Sequence, residues 1–553
     1  MISLQQRAAR RLAGQGGFTM IIALGVMFVT SLLLVAAFTA ANGEVAATKT
    51  TANQKQAYYA ALAGVQEYEY LLQSNPDYWE TCVGPKNTVA EEPVERYEVS
   101  LLPASTAPTG TTECVTTNPF ATEIESSGAL ANTFRIKSIG YAGSEKRSIV
   151  ATFQVTGFLD FIYFTNYETE DPSLYNAPTG CKGHYYSEWS KLPGPPACSV
   201  ITFFTGDKVN GPMHTNDSTR VEGSASFGRS GHTPADHIQI DGGTYPEDSN
   251  FECKGSPVFY TSSKCYEHGE VLIPPESDSS LTAYAETANE FTGQTQLVLK
   301  GTTIGVINYA GGVKHEKTIE WPKNGLIYVS PESCSFPFEA SGADSLEELE
   351  QTRSCGDVYV SGSYSKSLTI AADNNVIING SLYPTSVEGK LGSEPTGTAT
   401  LGLIASEYVR VYHPVGVTYT KGGGGCNKGD TLLSSGKCEY ANSSGGCDAP
   451  NLSVSEDPNK WGIQSNIWVY AAILSTSHSF LVDNYNCGSS LGELHVYGAI
   501  AQDYRGIVAT SGGTGYVKDY KYDGRLAADE PPYFLAPLKA GWKVIRETAP
   551  TAG

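Results

Sequence analysis

The residues best suited to chemistry lie in one tight polar loop, Gly211-Pro212-Met213-His214-Thr215-Asn216-Asp217. His214, Asn216 and Asp217 place an imidazole, an amide and a carboxylate side by side, a set that can serve acid–base catalysis or hold a cation. The same residues suit a plain turn, because Gly-Pro redirects the chain and Asn and Asp side chains bond to the nearby backbone. We favour the turn and keep the three residues as weak candidates for a polar site.

Further signs of catalysis or metal binding are sparse. The sequence contains neither an H-E-x-x-H nor a C-x-x-C motif, so two common metal-binding patterns are missing. His232 and His237 are separated by a proline-containing segment and do not share a helical face. We therefore predict no catalytic residue, no bound metal and no cofactor.

The twelve cysteines all follow residue 80. Sequence neighbours form six pairs with short loops: Cys82/Cys114, Cys181/Cys198, Cys253/Cys265, Cys334/Cys355, Cys426/Cys438 and Cys447/Cys487. Short loop closure favours this pairing, although spacing alone does not fix the connectivity. We expect disulfides rather than metal ligation, and therefore an oxidising, extracytoplasmic environment.

Composition limits the partners and suggests several domains. At 553 residues the chain is too long for one ordinary core, so two or three domains are expected. The net charge of −21 repels nucleic acid and anionic lipid, which argues against either as a partner of the bulk of the chain.

The N-terminal part of the chain contains a long apolar segment. Phe18 to Ala41 contains no charged residue and is long enough to cross a bilayer, which needs about 20 residues. Three arginines precede it, at positions 7, 10 and 11, and are expected on the cytoplasmic side. The small residues at 14–17 lie before the apolar run rather than after it, unlike the cleavage site of an ordinary signal peptide.

The helical pattern continues beyond the membrane segment. No proline occurs from residue 18 until Pro76, and apolar residues recur at three- and four-residue steps: Tyr58, Ala61, Leu62, Val65, Tyr68, Leu71 and Leu72. We predict one helix over 18–74, about 85 Å long at 1.5 Å per residue, with 18–41 spanning the membrane.

A small α+β head is predicted over residues 75–156. Strand-like runs occur at Val94–Leu102, Phe134–Gly140 and Arg147–Val155, and a turn at 141–146 joins the last two into a hairpin.

The rest of the chain, 157–553, is predicted to be a large, mostly-β module. Short Val- and Ile-rich runs ending in Gly recur, which favours an irregular β-helix or solenoid, with a β-sandwich as the alternative. The Gly- and Ser-rich segment 421–447 reads as a disulfide-stapled loop. We expect 516–535 to form a C-terminal cap over the last turn of the solenoid.

The N-terminal features resemble the prepilin leader of type IV pilins and related pseudopilins. Gly17-Phe18-Thr19-Met20-Ile21 fits the family's G-F-T-(L/M)-I pattern, and the segment 56–65 resembles one in PilX-like minor pilins, except at Leu62 where that pattern has Glu. The resemblance implies that prepilin peptidase cuts after Gly17 and methylates Phe18, leaving 1–17 as a removed leader. Most pilins have Glu as the fifth mature residue, whereas Ile22 stands here, which argues against a major structural subunit.

The resemblance predicts a minor, tip-located pilin that stays in the cytoplasmic membrane until assembly. Other pilins would contact its N-terminal helix, and the β-rich module would act in adhesion or in priming assembly. A surface or glycan ligand for the module stays open, as does the alternative of an anchored enzyme that acts on polysaccharides. A surface protein that keeps its leader and joins no pilus is a third hypothesis.

Overall fold

The computed structural model describes most of the chain and divides it into two compact units. The described residues are 18–75, 78–91, 94–174 (without 106, 118–121, 123 and 125–132), 179–187, 199–262 (without 243 and 246–256), 266–334 (without 270), 352–413, 418–419, 431–432, 438–439, 465–486, 489–538 (without 528), 542–548 and 551–552. The first unit comprises 1–126, 132–154 and 542–553, and the second comprises 127–131 and 155–541.

One long helix dominates the first unit. Helix α1 spans Phe18–Ser74, 57 residues without a break, over the residues that the sequence predicts. It carries no proline, and residues 18–41 carry no charge, so nothing in the local sequence ends it earlier. A short 3-10 turn at Tyr78–Thr81 follows.

An antiparallel sheet accompanies α1 in the same unit. Its strands are β1 (Lys86–Glu91), β2 (Val94–Leu102), β3 (Thr133–Ala142) and β4 (Glu145–Val155). β1 pairs with β2, β2 with β3 and β3 with β4, all antiparallel. The last three strands lie where the sequence predicts them. β1 is not predicted, because its residues are mostly polar and exposed and give no alternating apolar pattern.

The sheet is completed by the end of the chain, which corrects the predicted domain boundary. We expected the β-rich module to run to residue 553. Instead β32 (Trp542–Glu547) and β33 (Thr551–Ala552) belong to the first sheet, where both pair with β4. Trp542 is buried and packs edge-on against Phe134, with ring centroids 4.7 Å apart. The module of residues 155–541 is therefore an insertion into the head and is not a C-terminal extension.

The second unit, the module, is built mostly from short strands. In chain order they are β5 (Tyr163–Tyr167), β6 (Thr202–Phe203), β7 (Lys208–Asn210), β8 (Met213–Thr215), β9 (Thr219–Val221), β10 (Ser226–Phe227), β11 (Ile238–Ile240), β12 (Thr244–Tyr245), β13 (Val258–Phe259), β14 (Glu290–Thr292), β15 (Thr295–Gly301), β16 (Thr303–Asn308), β17 (His315–Glu320), β18 (Leu326–Ser330), β19 (Val358–Tyr364), β20 (Leu368–Ala372), β21 (Val376–Pro384), β22 (Leu401–Ala405), β23 (Val409–Val411), β24 (Thr418–Tyr419), β25 (Thr431–Leu432), β26 (Cys438–Glu439), β27 (Trp468–Val469), β28 (Ala472–Ser475), β29 (Phe480–Val482), β30 (Ser490–Tyr504) and β31 (Gly515–Tyr522).

Single 3-10 turns connect some of these strands. They span Phe158–Asp160, Thr179–Cys181, Ser279–Tyr284, Thr287–Asn289, Ala310–Gly312, Thr352–Ser354, Thr385–Val387 and Gly524–Ala527.

Most strands of the module pair in parallel in two long ladders. The first runs β14-β18-β20-β22-β28-β30-β5-β8-β11. The second runs from β15 through β19 and β21, then by β27 to β30, and on through β31, β7 and β10 to β13. The hairpin β16–β17 adds two antiparallel strands beside β15.

The chain enters this stack in its middle. β5 is the first strand of the module, yet it pairs with β30 from near the module's end as well as with β8. From β5 the strands proceed to β11 at one end of the first ladder; the chain then passes to β14 at the other end and returns to β30. We call the junction of β30 and β31 with β5 and β7 the seam. Strands from the start of the module thus pair with strands from its end, as expected for a domain inserted into another.

The position of β31 contradicts the predicted cap. We expected 516–535 to cover the last turn of the stack, but β31 pairs with β30 on one side and β7 on the other, within the second ladder. The aromatic and charged residues of this segment are part of the stack because the chain order and the stacking order differ.

Two apolar clusters show why the ladder strands are rich in Val, Ile and Leu. Alternate side chains of both ladders, such as Ile370 and Leu403, form one extended core. The intervening side chains of the first ladder, such as Ala371 and Ile404, form a second cluster with Leu272 and Leu281. Residues 271–289, the crossover segment, belong to the connection between the two ends of the stack and cover this outer face. Strands buried on both faces read as continuous apolar runs.

Candidate functional site

The first half of α1 is the clearest functional element. Met20–Ala41 is long and apolar enough to cross a membrane, and none of it is buried within the protein. Its side chains stand open all round the helix; Phe38, for example, is 69% exposed. A surface of this kind is unstable in water and requires lipid or apolar helices around it. This arrangement fits a membrane-anchored protein whose remaining mass lies outside the cytoplasm.

The second half of α1 packs closely on the sheet of the head. Ala57, Ala61 and Gly64 face β3, and the hydroxyl of Ser138 donates to the carbonyl of Ala61 at 2.7 Å. A Cβ placed on Gly140 would lie 2.0 Å from the carbonyl oxygen of Ala57. Of the predicted stripe, Ala61, Val65, Tyr68 and Leu72 are buried. Tyr58, Leu62 and Leu71 lie at its half-buried margins, and small residues occupy the positions nearest β3. Small side chains allow the closest approach, which a pattern of large apolar residues does not reveal.

The two predicted processing residues lie at the start of this helix. Gly17 falls outside the described residues, and Phe18 is the first residue of α1. Ile22, at the position where most pilins carry Glu, is 52% exposed. This position is thus an exposed, apolar part of the helix surface.

The predicted polar loop is buried and holds the module together. His214, Asn216 and Asp217 are at most 3% exposed. His214 contacts Gln239 through Nδ1 at 2.8 Å and Asn216 through Nε2 at 2.9 Å. Burial lowers the pKa of His214, so it is neutral at pH 7.

Asn216 and Asp217 each bond to distant backbone. Asn216 donates to the carbonyl of Leu272 and accepts from its amide, which fixes the crossover segment to the stack. Asp217 accepts four backbone N–H groups, from Glu168, Tyr186, Ser187 and Ser218. Burial raises the pKa of Asp217 to about 6, and these four bonds oppose the increase. The structure brings the three predicted residues together, and their side chains fix distant backbone segments to the stack. They are too deeply buried for a substrate to reach them easily.

We expect Asp217→Asn to release the loop at either Tyr186 or Ser187, because their N–H groups bond to different oxygens of the Asp217 carboxylate. An Asn amide group cannot accept from both sides, so two of the four backbone N–H groups lose their acceptor, at about 1–2 kcal/mol. Hydrogen exchange at one of these two amides should accelerate at least tenfold. Asp241→Asn, at a half-exposed acid near the same loop, should leave this exchange unchanged; equal protection in both variants would contradict the anchoring role.

Among the described residues, two of the predicted cysteine pairs form disulfides, and one member of a third pair is disulfide-bonded. Cys82 bonds to Cys114 and Cys334 to Cys355, as the short-loop pairing predicts. Cys181 is also disulfide-bonded. Cys438 begins β26. The other predicted members lie outside the described residues: Cys198, Cys253, Cys265, Cys426, Cys447 and Cys487, as does nearly all of the stapled loop 421–447.

An acidic pair not identified from the sequence lies under the crossover segment. Asp278 is fully buried and contacts the hydroxyls of Ser406 at 2.8 Å and Tyr328 at 3.3 Å. The same Tyr328 hydroxyl donates to Asp373 at 2.7 Å. Burial, with the nearby charge of Asp373, raises the pKa of Asp278 to about 7. A carboxyl that holds its proton here can bridge the crossover segment to the stack without a buried negative charge.

We expect Asp278→Asn to stabilise the module at pH 8 and to have little effect at pH 4. The native carboxyl keeps its proton up to about pH 7, whereas the unfolded one ionises near pH 4. Ionisation therefore favours unfolding increasingly from pH 4 to pH 7, and Asn removes that loss, which is on the order of 4 kcal/mol. Denaturant midpoints of wild type and variant across this range measure the difference. A constant difference at every pH would contradict this assignment.

Glu493, His495 and Asp519 form the one metal-like cluster among the described residues. His495 contacts Asp519 through Nδ1 at 2.7 Å and stacks on Trp468. Both acids already contact lysines, Asp519 with Lys521 at 3.1 Å and Glu493 with Lys208 at 3.6 Å. The local charge is thus largely balanced, and the cluster is explained as an ion-pair network between neighbouring strands.

Comparison with known proteins adds little to this geometry. The chain matches no protein-family model and no curated protein. Among solved structures it is similar to the competence-associated pilin ComZ from Thermus thermophilus, with 11% identity, a TM-score of 0.25, and coverage of 90% of this chain and 97% of that one. Neither the superposition nor the identity is high enough to transfer a role.

Proposed function

We propose that the chain is a minor type IV pilin-like subunit that acts in binding or assembly rather than as an enzyme. The observation that carries this proposal is the single helix α1, whose first half is bare and apolar and whose second half packs on a small antiparallel sheet. One helix thus serves first as a membrane anchor and later as the element that packs beside the helices of other pilins. Prepilin peptidase would cut after Gly17 and methylate Phe18.

The module supports a position at or near the tip of a fibre. It holds well over half of the chain and is inserted between β4 and β32, two strands of the head sheet. So large an insertion in every subunit would be difficult to repeat along a tightly packed shaft. We further infer that the module is a parallel β-helix rather than a sandwich, which the parallel registers of both ladders support. Its role would be adhesion to a surface or glycan, or priming of assembly.

The N-terminus of the mature protein tests the pilin assignment. We expect purified full-length protein to begin with N-methylated Phe18, and Gly17→Val to retain the leader. Gly14→Val, a matched change within the same leader, should still be processed. An intact Met1 in the wild type, or a mature protein that lacks the apolar helix, would contradict the proposal.

The insertion dictates how the module's role should be tested. Truncation after residue 156 would also remove β32 and Trp542 from the head, so a loss of pili would be uninterpretable. Residues 157–541 should instead be replaced by a short Gly-Ser linker that keeps 542–553. Normal pili without attachment would support adhesion, absence of pili would support priming, and no change in either would contradict both roles.

A further inference from the structure

Lys518 and Asp207 form a buried ion pair at the seam. Lys518 Nζ lies 2.9 Å from Asp207 Oδ2, and each side chain is only 7% exposed. In the other lysine ion pairs of the described residues, the lysine side chain is at least 36% exposed. This difference matters because a buried amine can lose its proton and act as a nucleophile, whereas the guanidinium of a buried arginine stays charged.

The surroundings of the pair are partly aromatic and balanced in charge. The ring of Phe203 lies 5.6 Å from Lys518 Nζ. Arg505 and Glu168 neutralise each other nearby, with Nη1 and Oε2 2.7 Å apart. Burial lowers the pKa of Lys518, and Arg505 lowers it further, against the opposing effects of Asp207 and Glu168. Transfer of one proton from Lys518 to Asp207 would leave a neutral amine beside a neutral carboxylic acid, the reactive form of the pair.

The backbone holds the carboxyl group of Asp207 in place. The amide of Phe204 donates to Oδ2 at 3.0 Å, and the amide of Lys518 donates to Oδ1 at 3.3 Å. The second donor lies where negative charge develops if a nucleophile adds to the carboxyl carbon. The pairing of β31 with β7 fixes both side chains, so the reacting groups are already positioned and little entropy is lost on reaction.

We propose that Lys518 and Asp207 condense to an intramolecular isopeptide bond that locks the seam. The ammonium passes a proton to Oδ2, the amine nitrogen then adds to Cγ, and the Cγ–Oδ2 bond breaks. The amine's second proton leaves with that oxygen, so the products are one amide and one water molecule. The ion pair contains every atom that the reaction requires, and no oxidant, metal or co-reactant takes part.

The structure also supplies a reason for the reaction to proceed and a path for the water. A buried ion pair bears a desolvation cost that a neutral amide avoids. Asp207 and Lys518 line an open cleft of about 400 Å³ beside Thr205 and Tyr516, through which the released water can leave. The bond would join residues 311 positions apart and would tie the module's first strands to its last. This inference is independent of the proposed pilus function.

Mass spectrometry of the full-length protein tests the bond directly. After reduction and denaturation, we expect the wild type to be lighter than its mapped sequence by one water molecule. A protease digest should contain one branched peptide that joins the segments bearing Lys518 and Asp207. Lys518→Arg should restore the full mass, whereas Lys521→Arg, which removes the half-exposed lysine on the same strand, should keep the loss of water.

Two results would overturn the proposal. One is a wild-type mass equal to the sequence together with separate, unmodified peptides for the two segments. The other is a missing water that persists in Lys518→Arg or that maps to other residues. Should Lys518→Arg fail to fold, the branched peptide of the wild type decides the question alone.

Discussion

Replacing Gly140 by alanine is expected to separate α1 from the head sheet. A Cβ at this position would lie 2.0 Å from the carbonyl oxygen of Ala57 and 2.3 Å from the amide nitrogen of Ala61. Both are backbone atoms of the helix and cannot rotate aside, so the whole helix must move. We expect a loss of about 3 kcal/mol, at the upper end for an overpacked core. Hydrogen exchange of full-length protein should show lost protection in α1 from Ala57 onwards and in β3.

A glycine with free space provides the control for this experiment. Gly157 has an ordinary extended backbone, and a Cβ there would meet nothing closer than 3.9 Å. Gly157→Ala should therefore leave exchange in the head unchanged. If hydrogen-exchange protection of α1 is the same in Gly140→Ala and Gly157→Ala, the described close approach of the helix to the sheet is wrong. Because the bare half of α1 has no support from the protein itself, loosening the second half would also uncouple the membrane anchor from its head.

The parts of the fold that depend on nearby residues could be predicted from the sequence. The bounds of α1 follow from a charge-free apolar run, the absence of proline before Pro76 and a continuing stripe of apolar residues. Strands β2, β3 and β4 follow from alternation and from the short turn between the last two. In each case the pattern and the element that it forms occupy the same stretch of chain.

The parts that depend on distant partners could not be predicted. Trp542–Glu547 has the alternation of a strand, but nothing in that stretch indicates that it pairs with β4, roughly 400 positions earlier. The same limit explains the wrong position of the predicted cap, since β31 meets β7 only because the chain enters the stack in its middle. The order of strands in the stack differs from their order in the sequence because the module is inserted into the head.

The polar residues show the same division. The polar loop stands out in the sequence because three of its polar residues are nearly adjacent: His214, Asn216 and Asp217. Their hydrogen-bond partners are remote in sequence and give these residues a structural role: Gln239, Leu272 and Glu168. The burial of Lys518 does have a local signal in the sequence. Lys518 lies two residues from both Tyr516 and Tyr520 on β31, so the three side chains share one face of the strand, and all three are buried. A lysine that shares a face with two large aromatics is therefore a sign of an interior ion pair, even though the sequence does not reveal its partner.

The insertion has a mechanical consequence for the proposed role. The module is joined covalently to the head at both ends, through β4 and through β32. A load on the module would therefore pass to the head along two chains rather than one. Within the module, the same load would act on the seam, because the strands next to both connections meet there. The strength of the seam is thus expected to determine whether the module survives a pull.

The buried pair Arg505–Glu168 is expected to hold that seam. Glu168 follows β5 and is fully buried, Arg505 follows β30 and is 1% exposed, and the two residues are 337 positions apart. Glu168→Ala would leave the guanidinium buried without its counter-charge, which costs about 3–5 kcal/mol. We expect a large drop in the denaturant midpoint of the full-length protein, with hydrogen exchange accelerated first in β5 and β30.

The double variant Glu168→Leu/Arg505→Met separates an ionic effect from simple loss of packing. It removes both charges and fills the site with apolar atoms, so it should recover most of the stability lost in Glu168→Ala, since replacing a complete buried ion pair is often neutral. Arg410 and Asp483, another buried pair within the module at 2.8 Å, should give the same pattern with exchange localised to β23 and β29 instead. If the double variant is as unstable as Glu168→Ala, the charges of this pair are not what stabilises the site, and the packing of Arg505 on the Phe203 ring accounts for the loss.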